Sequence, residues 1–358
     1  MPFAISHQAI MNHTLINDVA EQLSSEPAVA VATLVSATGS SSKKVGAKMF
    51  VGSSGRLVGG VTIGGCVDAQ VIEAADSLVE GGGRKLMSIS LDDDQAWEIG
   101  LTCGGSVEVV IDRVSPNDPS DPLVRAHEAA REALARDEGA VIVTSLDGEF
   151  AAFVVTEDGV RHGTLGSAAV DSASELTAVS VLHTESGVHN IGGRRYFFER
   201  VAPAATLIIV GAGQIAMSLS VMGREVGMRT VIADGRDRYA TAERFPSADE
   251  VRVGMPSEIV ASYPAGARLA VVLVAHDYKY ELPVLRHLLR TPVGYIGMLG
   301  NKTRGAAVRE ELTKEGFTSD ELRRIHTPIG LDIGGRGAGE IALSILSEIV
   351  AVQNGKRE

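Results

Sequence analysis

The chain has 358 residues, 45% of them apolar and 22% charged, with forty glycines and two cysteines. It is too long for one ordinary domain and apolar enough for real cores, so it reads as a turn-rich α/β protein and not as a disordered one. The formal charge of −12 excludes general binding to nucleic acid or to an anionic membrane, both of which need a basic face.

The N-terminal stretch lacks a basic region followed by a long apolar core, so no secretory signal is expected. The longest apolar runs, 28–35 and 269–275, fall far short of a membrane span. Two cysteines without an export signal imply reduced thiols in the cytoplasm and no disulfide framework.

In chain order, Leu15, Ile16, Val19, Ala20 and Leu23 predict a short amphipathic helix over 12–23. Residues 28–37 read as a buried strand, and 38–46 as a polar loop whose hydroxyl and amine side chains can reach an anion. Residues 47–51 and 56–58 predict a hairpin. Local basic points at Lys43, Lys44 and Lys48, and at Arg194 and Arg195, read as solvated surface more readily than as anion sites.

The stretch Gly59-Gly60-Val61-Thr62-Ile63-Gly64-Gly65-Cys66 then leads into a helical pattern. Val67, Val71, Ile72, Ala75, Leu78 and Val79 share one face, which puts Cys66 at or near a helix N-terminus. Unpaired N–H groups and the helix dipole favour a thiolate there, and Gly64 and Gly65 let a bulky ligand approach the backbone. This predicts a reactive or ligating thiol. The alternative is a small buried hydrophobe beside a glycine turn.

Residues 84–91 and 106–114 predict strands, and between them Gly100-Leu101-Thr102-Cys103-Gly104-Gly105 repeats the glycine context of the first cysteine. No Cys-x-x-Cys or histidine partner stands at zinc-ligand spacing. A paired-thiol site requires the fold to bring Cys66 and Cys103 together. Three prolines over 115–122 mark a linker or long turn. A helix over 123–137 and short strands over 140–146, 149–156, 160–162 and 192–201 follow, with 172–180 ambiguous.

From residue 206 strands and helices alternate, which predicts a doubly wound parallel sheet. The division is an N-terminal α+β domain over 1–202 and a Rossmann-like domain over 203–358. Gly211-Ala212-Gly213-Gln214-Ile215-Ala216 follows a predicted strand and opens a predicted helix, with Asp234 ending the next strand. That arrangement fits a dinucleotide fingerprint: Gly211 and Gly213 for the turn and the pyrophosphate, Asp234 for a ribose 2′-hydroxyl. Asp234 favours NAD over NADP, and Arg236 blurs that preference. The alternative is a glycine turn kept for packing in a sheet that binds no nicotinamide. His276, at the end of the 269–275 strand, is the candidate acid–base residue, while Asp277 reads equally well as a helix cap. The loop 332–339, with Arg336, reads either as a second anion cradle or as a tight connection.

The paired motifs around Cys66 and Cys103 resemble those of the xanthine dehydrogenase accessory proteins, the XdhC/CoxI family. The 207–216 fingerprint, His276-Asp277-Tyr278-Lys279-Tyr280, Tyr295-Ile296-Gly297-Met298-Leu299-Gly300 and His326-Thr327-Pro328-Ile329-Gly330-Leu331-Asp332 are similar to that family in the same order. Serine and lysine at 42–44, where the family often has proline and arginine, and Asp68, where it often has glutamate, are modest departures.

The resemblance implies a cytoplasmic chaperone, not the dehydrogenase itself, which binds the molybdenum cofactor and hands it to a molybdenum hydroxylase such as xanthine dehydrogenase. It implies Cys66 as a cofactor-binding residue in contact with molybdenum, Cys103 as a second family cysteine, a homodimer, and a cysteine desulfurase as a further partner. Two other readings stand beside it: an NAD(P)-dependent oxidoreductase built on the Rossmann half, and a non-catalytic docking scaffold.

Overall fold

The computed structural model describes residues 26–39, 45–61, 66–90, 105–275 and 277–356. The helix expected over 12–23 lies outside them. The chain divides into two compact units, one ending at Pro203 and one that takes in the chain from Ala204 to Glu358.

The first unit holds two five-stranded antiparallel sheets. Strands β1 (Val29–Gly39), β2 (Lys48–Gly52), β3 (Leu57–Gly59), β4 (Arg84–Ser90) and β5 (Gly105–Val114) pair in the order β3-β2-β1-β5-β4. Helix α1 (Cys66–Gly81) lays Val67, Val71, Ala74, Ala75 and Val79 on Ala30, Ala32 and Leu34 of β1. Val29 and Val31 point the other way, as the two-residue strand period requires. Both faces of β1 are therefore covered, which is why Thr33 is the one polar side chain over residues 29–35.

Helix α2 (Pro122–Ala135) inserts Leu123, Ala126, Ala130 and Ala133 into the core on that second face. The core also takes Ala140, Ile142, Val154 and Val201 from the second sheet. That sheet consists of β6 (Ala140–Ser145), β7 (Ala152–Thr156), β8 (Arg161–Gly163), β9 (Gly187–Ile191) and β10 (Arg194–Val201), in the order β8-β7-β6-β10-β9. The proline-rich stretch 115–122 is a hydrogen-bonded turn within this unit. Asp118 accepts from the Ser120 N–H at 2.9 Å, and Asp121 caps α2 by accepting from the Leu123 N–H at 2.9 Å. The ambiguous stretch becomes α3 (Ala168–Val181), whose Leu176 and Val179 face solvent and blur the helical period.

Charge is sealed inside this unit. Lys48 on β2 lies 2.9 Å from Glu199 on β10 and donates to the Thr33 hydroxyl at 2.9 Å. Its side chain is 5% exposed, so the expectation of a solvated basic point at Lys48 is corrected: the ammonium joins one sheet to the other. Arg84 lies 2.9 Å from the buried Asp112. His127 on α2 is half-buried, its Nε2 is shut off from solvent with no hydrogen bond, and desolvation pushes its pKa down to about 3.

The second unit alternates β11 (Thr206–Val210), α4 (Gln214–Glu225), β12 (Arg229–Asp234), β13 (Glu250–Val253), α5 (Pro256–Ala261), β14 (Leu269–Leu273), α6 (Tyr278–Leu289), β15 (Tyr295–Met298), α7 (Lys302–Lys314), α8 (Ser319–Leu322), β16 (Ile325–His326) and α9 (Ala338–Gln353). The six strands are parallel in the order β13-β12-β11-β14-β15-β16. Ile208, Val210, Val271 and Leu273 face α5, α6 and α7, whereas Leu207, Ile209, Ala270 and Val272 face α4 and α9. This is the Rossmann strand order, and it reverses direction between β11 and β14, where open α/β sheets place ligands.

Candidate functional site

The loops after β11 and β14 meet at that reversal. Gly211 has φ of +109°, and a Cβ built on it would lie 2.7 Å from the backbone N and Cα of Ala275. Only glycine allows both the left-handed backbone and the contact. Two positions on, Gly213 precedes α4 with no side-chain cap, and a Cβ there would meet nothing within 4 Å. The first N–H groups of α4 thus have no side-chain cap, and nothing crowds the Gly213 position before them.

Asp234 ends β12 beside this turn, as its place in the fingerprint predicts. Its Oδ2 accepts from the Ala212 N–H and from Arg236 Nη2, both at 2.7 Å; its Oδ1 accepts from the Arg236 N–H and Nε, both at 2.9 Å. The side chain is 1% exposed. Burial works against the charged carboxylate, but these donors outweigh it and hold the pKa below the ordinary aspartate range. Donors of the chain itself thus occupy both oxygens of the carboxylate, at the place the fingerprint gives to a ribose hydroxyl. The residues fit a dinucleotide at the glycine turn.

Arg236, by contrast, is 45% exposed, and its guanidinium carbon stands 4.2 Å from the ring centre of Tyr239. Arg244 flanks the same ring at 5.4 Å, donates Nη1 to the Tyr239 carbonyl at 2.6 Å, and places Nη2 4.0 Å from the Met217 sulfur on α4. Sequence reasoning passed over Tyr239 and Arg244. A usable signal was present, since arginines and a tyrosine crowd the loop directly behind the acidic residue.

Asp277 is a helix cap: it accepts from the Lys279 N–H at 2.9 Å and starts α6. His276 lies outside the described residues. The loop before α9 is not an open anion cradle. Glu340 Oε2 accepts from the Arg336 and Gly337 N–H groups, each at 2.9 Å, so the chain's own carboxylate fills that place. The spacing Gly337-x-x-Glu340 is a capping pattern that the sequence carries. Behind it, Glu348 on α9 accepts from the Tyr295 hydroxyl and from the Gly330 N–H, and lies 3.1 Å from His326 Nδ1. These bonds outweigh burial and keep its pKa below the usual range. The motif at 326–332 thus serves to anchor a loop on β15 and α9.

In the first unit, α1 begins at Cys66, as the helical spacing predicts. Gly64, Gly65 and Cys103 lie outside the described residues. Among the described residues, no group of three or more histidine, cysteine, aspartate or glutamate side chains is placed to hold a metal ion, and no helix is long and apolar enough to cross a membrane.

Residues 23–90 match the sequence description of the XdhC and CoxI family, and residues 207–349 match that of the XdhC Rossmann domain. A Bacillus subtilis protein named as a probable xanthine dehydrogenase subunit is 27% identical over 94% of this chain and 96% of its own. The molybdenum cofactor insertion chaperone PaoD of Escherichia coli is 23% identical over 96% of this chain and 89% of its own. A solved structure described as a xanthine dehydrogenase from Bacillus halodurans superposes with a TM-score of 0.79 at 23% identity, over 96% of this chain and 97% of that one, and shares the fold. With one family matched at both ends and across both units, the chain belongs to the XdhC and CoxI family.

Proposed function

We propose that this protein is an accessory chaperone that binds the molybdenum cofactor and delivers it to a molybdenum hydroxylase such as a xanthine dehydrogenase. The observation that carries the reading is the near full-length match to a relative named as a molybdenum cofactor insertion chaperone. The cargo is an anionic pterin with a thiophilic metal. It suits a cysteine at a helix start, where unpaired N–H groups favour the thiolate.

In this reading Cys66 contacts the metal centre, Gly64 and Gly65 leave the backbone open to the pterin, and Cys103 is the second thiol. The protein works as a cytoplasmic homodimer, and a cysteine desulfurase is its sulfuration partner.

The test is cofactor retention. Wild type and Cys66→Ala are purified from cells that make the cofactor, and molybdenum is counted by mass spectrometry while the pterin is read by fluorescence after oxidation. Wild type retains both; Cys66→Ala loses most of them with an unchanged melting temperature. Equal retention in the two proteins would make Cys66 structural. Steady nicotinamide turnover by the purified protein, abolished in His276→Ala, would replace the chaperone with an oxidoreductase.

A further inference from the structure

The geometry points to a binding site for an NADP-type dinucleotide, with a phosphate on its adenosine 2′-oxygen, at the carboxyl ends of β11 and β12. Arg236 and Arg244 are the residues that select it. The inference rests on residues of the Rossmann unit alone and stands whether or not the chain carries the molybdenum cofactor.

The argument starts from Asp234. An acidic residue at this place discriminates for a free ribose diol only while its oxygens face the ligand. Here both oxygens are turned to donors of the chain itself, and two of the four donors belong to the Arg236 side chain. The negative charge is neutralised and buried, and the group left facing outward is a half-exposed guanidinium. Asp234 acts as the positioning residue: it holds the Arg236 fork in one orientation, so little side-chain entropy remains to be lost when an anion binds.

Arg244 supplies the second cation. Two guanidiniums stand against the single ring of Tyr239, one tied to the end of β12 and the other reaching the first turn of α4. Two positive charges on one loop favour an anion that can accept from both. A phosphate monoester carries close to two charges near neutral pH and accepts paired N–H donors from arginine, so it is the ligand group of matching charge and shape. The open N–H groups behind Gly213 take the pyrophosphate of the same molecule, which makes the ligand a dinucleotide and not a lone phosphate.

Calorimetry on the full-length protein tests this with NADP, NAD, adenosine 2′,5′-bisphosphate and adenosine 5′-monophosphate. NADP and the bisphosphate are expected to bind about tenfold or more tighter than their partners without the 2′-phosphate. Arg236→Ala removes that margin and, by uncovering Asp234, brings NAD level with NADP or ahead of it. Arg244→Ala weakens NADP and leaves NAD unchanged, and it carries the test if Arg236→Ala does not fold, because its side chain holds no part of the Asp234 pair. NAD binding as tightly as NADP to wild type, or neither ligand binding at millimolar concentration, overturns the site. Cofactor retention measured on the same preparations keeps this outcome distinct from failure of the chaperone reading.

Discussion

Two sites of buried charge, one in each unit, are built in different ways. In the first, Lys48 and Glu199 are both sealed, at 5% and 2% exposure, and pair with each other between the two sheets. In the Rossmann unit, Asp234 is equally buried, but its partner Arg236 stands 45% exposed at the strand ends. A charge sealed on both sides can only contribute to folding and register. A buried charge with one exposed partner instead aims that partner at solvent, where a ligand can meet it.

The strongest way to break this comparison is Glu199→Ala. It leaves the Lys48 ammonium buried without its carboxylate and should cost about 3–5 kcal/mol in urea unfolding, whereas Lys48→Met with Glu199→Met should recover most of that loss. If Glu199→Ala unfolds like wild type, the inter-sheet pair is not structural. Gly211→Val comes next. Strained backbone and a clash with Ala275 should together cost about 3 kcal/mol and abolish any dinucleotide binding, read by thermal unfolding and calorimetry.

The third test uses His127. Its folded pKa is depressed from 6.5 to about 3, so its contribution is complete above pH 6.5 and is lost as pH falls towards 3. By pH 5 protonation of the unfolded chain should cost about 2 kcal/mol that His127→Gln escapes. Asp112, raised to about 6 by burial, works in the opposite sense: its contribution is present at low pH and lost as pH rises through about 6. The measurement is therefore the difference between wild type and His127→Gln at pH 7 and pH 5, and a constant difference refutes the assignment. The smallest effect belongs to Glu340→Ala, which uncovers the start of α9. A small fall in melting temperature, partly restored by added sulfate in the variant and not in wild type, would turn the α9 start into the open kind seen at Gly213.

Much of the fold was legible. The continuous apolar run of β1, the one-faced pattern of α1 and the strand–glycine–helix of β11 and α4 are local signals that packing reinforces. Elements with weak patterns escaped: β13, α5, α8 and the two-residue β16 are too short to show a period. The site was legible at its backbone positions, Gly211 and Gly213, because a turn and a close approach demand glycine wherever they occur. It was less legible at its side chains. The role of Asp234 depends on where Arg236 points, and that of the 332–339 loop on whether Glu340 folds back over it.

The sequence alone determined most of the longer strands and helices, where the glycine turn lies, that Cys66 stands at or near the start of α1, and which family the motifs resemble. Each follows from residues that are neighbours along the chain, where periodicity, capping and turn chemistry act. Only the tertiary structure decided that Lys48 meets Glu199 across two sheets, that Arg236 occupies both oxygens of Asp234, and that Arg244 joins it on Tyr239. These depend on side-chain direction and on distances set by packing, and a hydrogen bond or ion pair forms or fails within an ångström that no local pattern specifies.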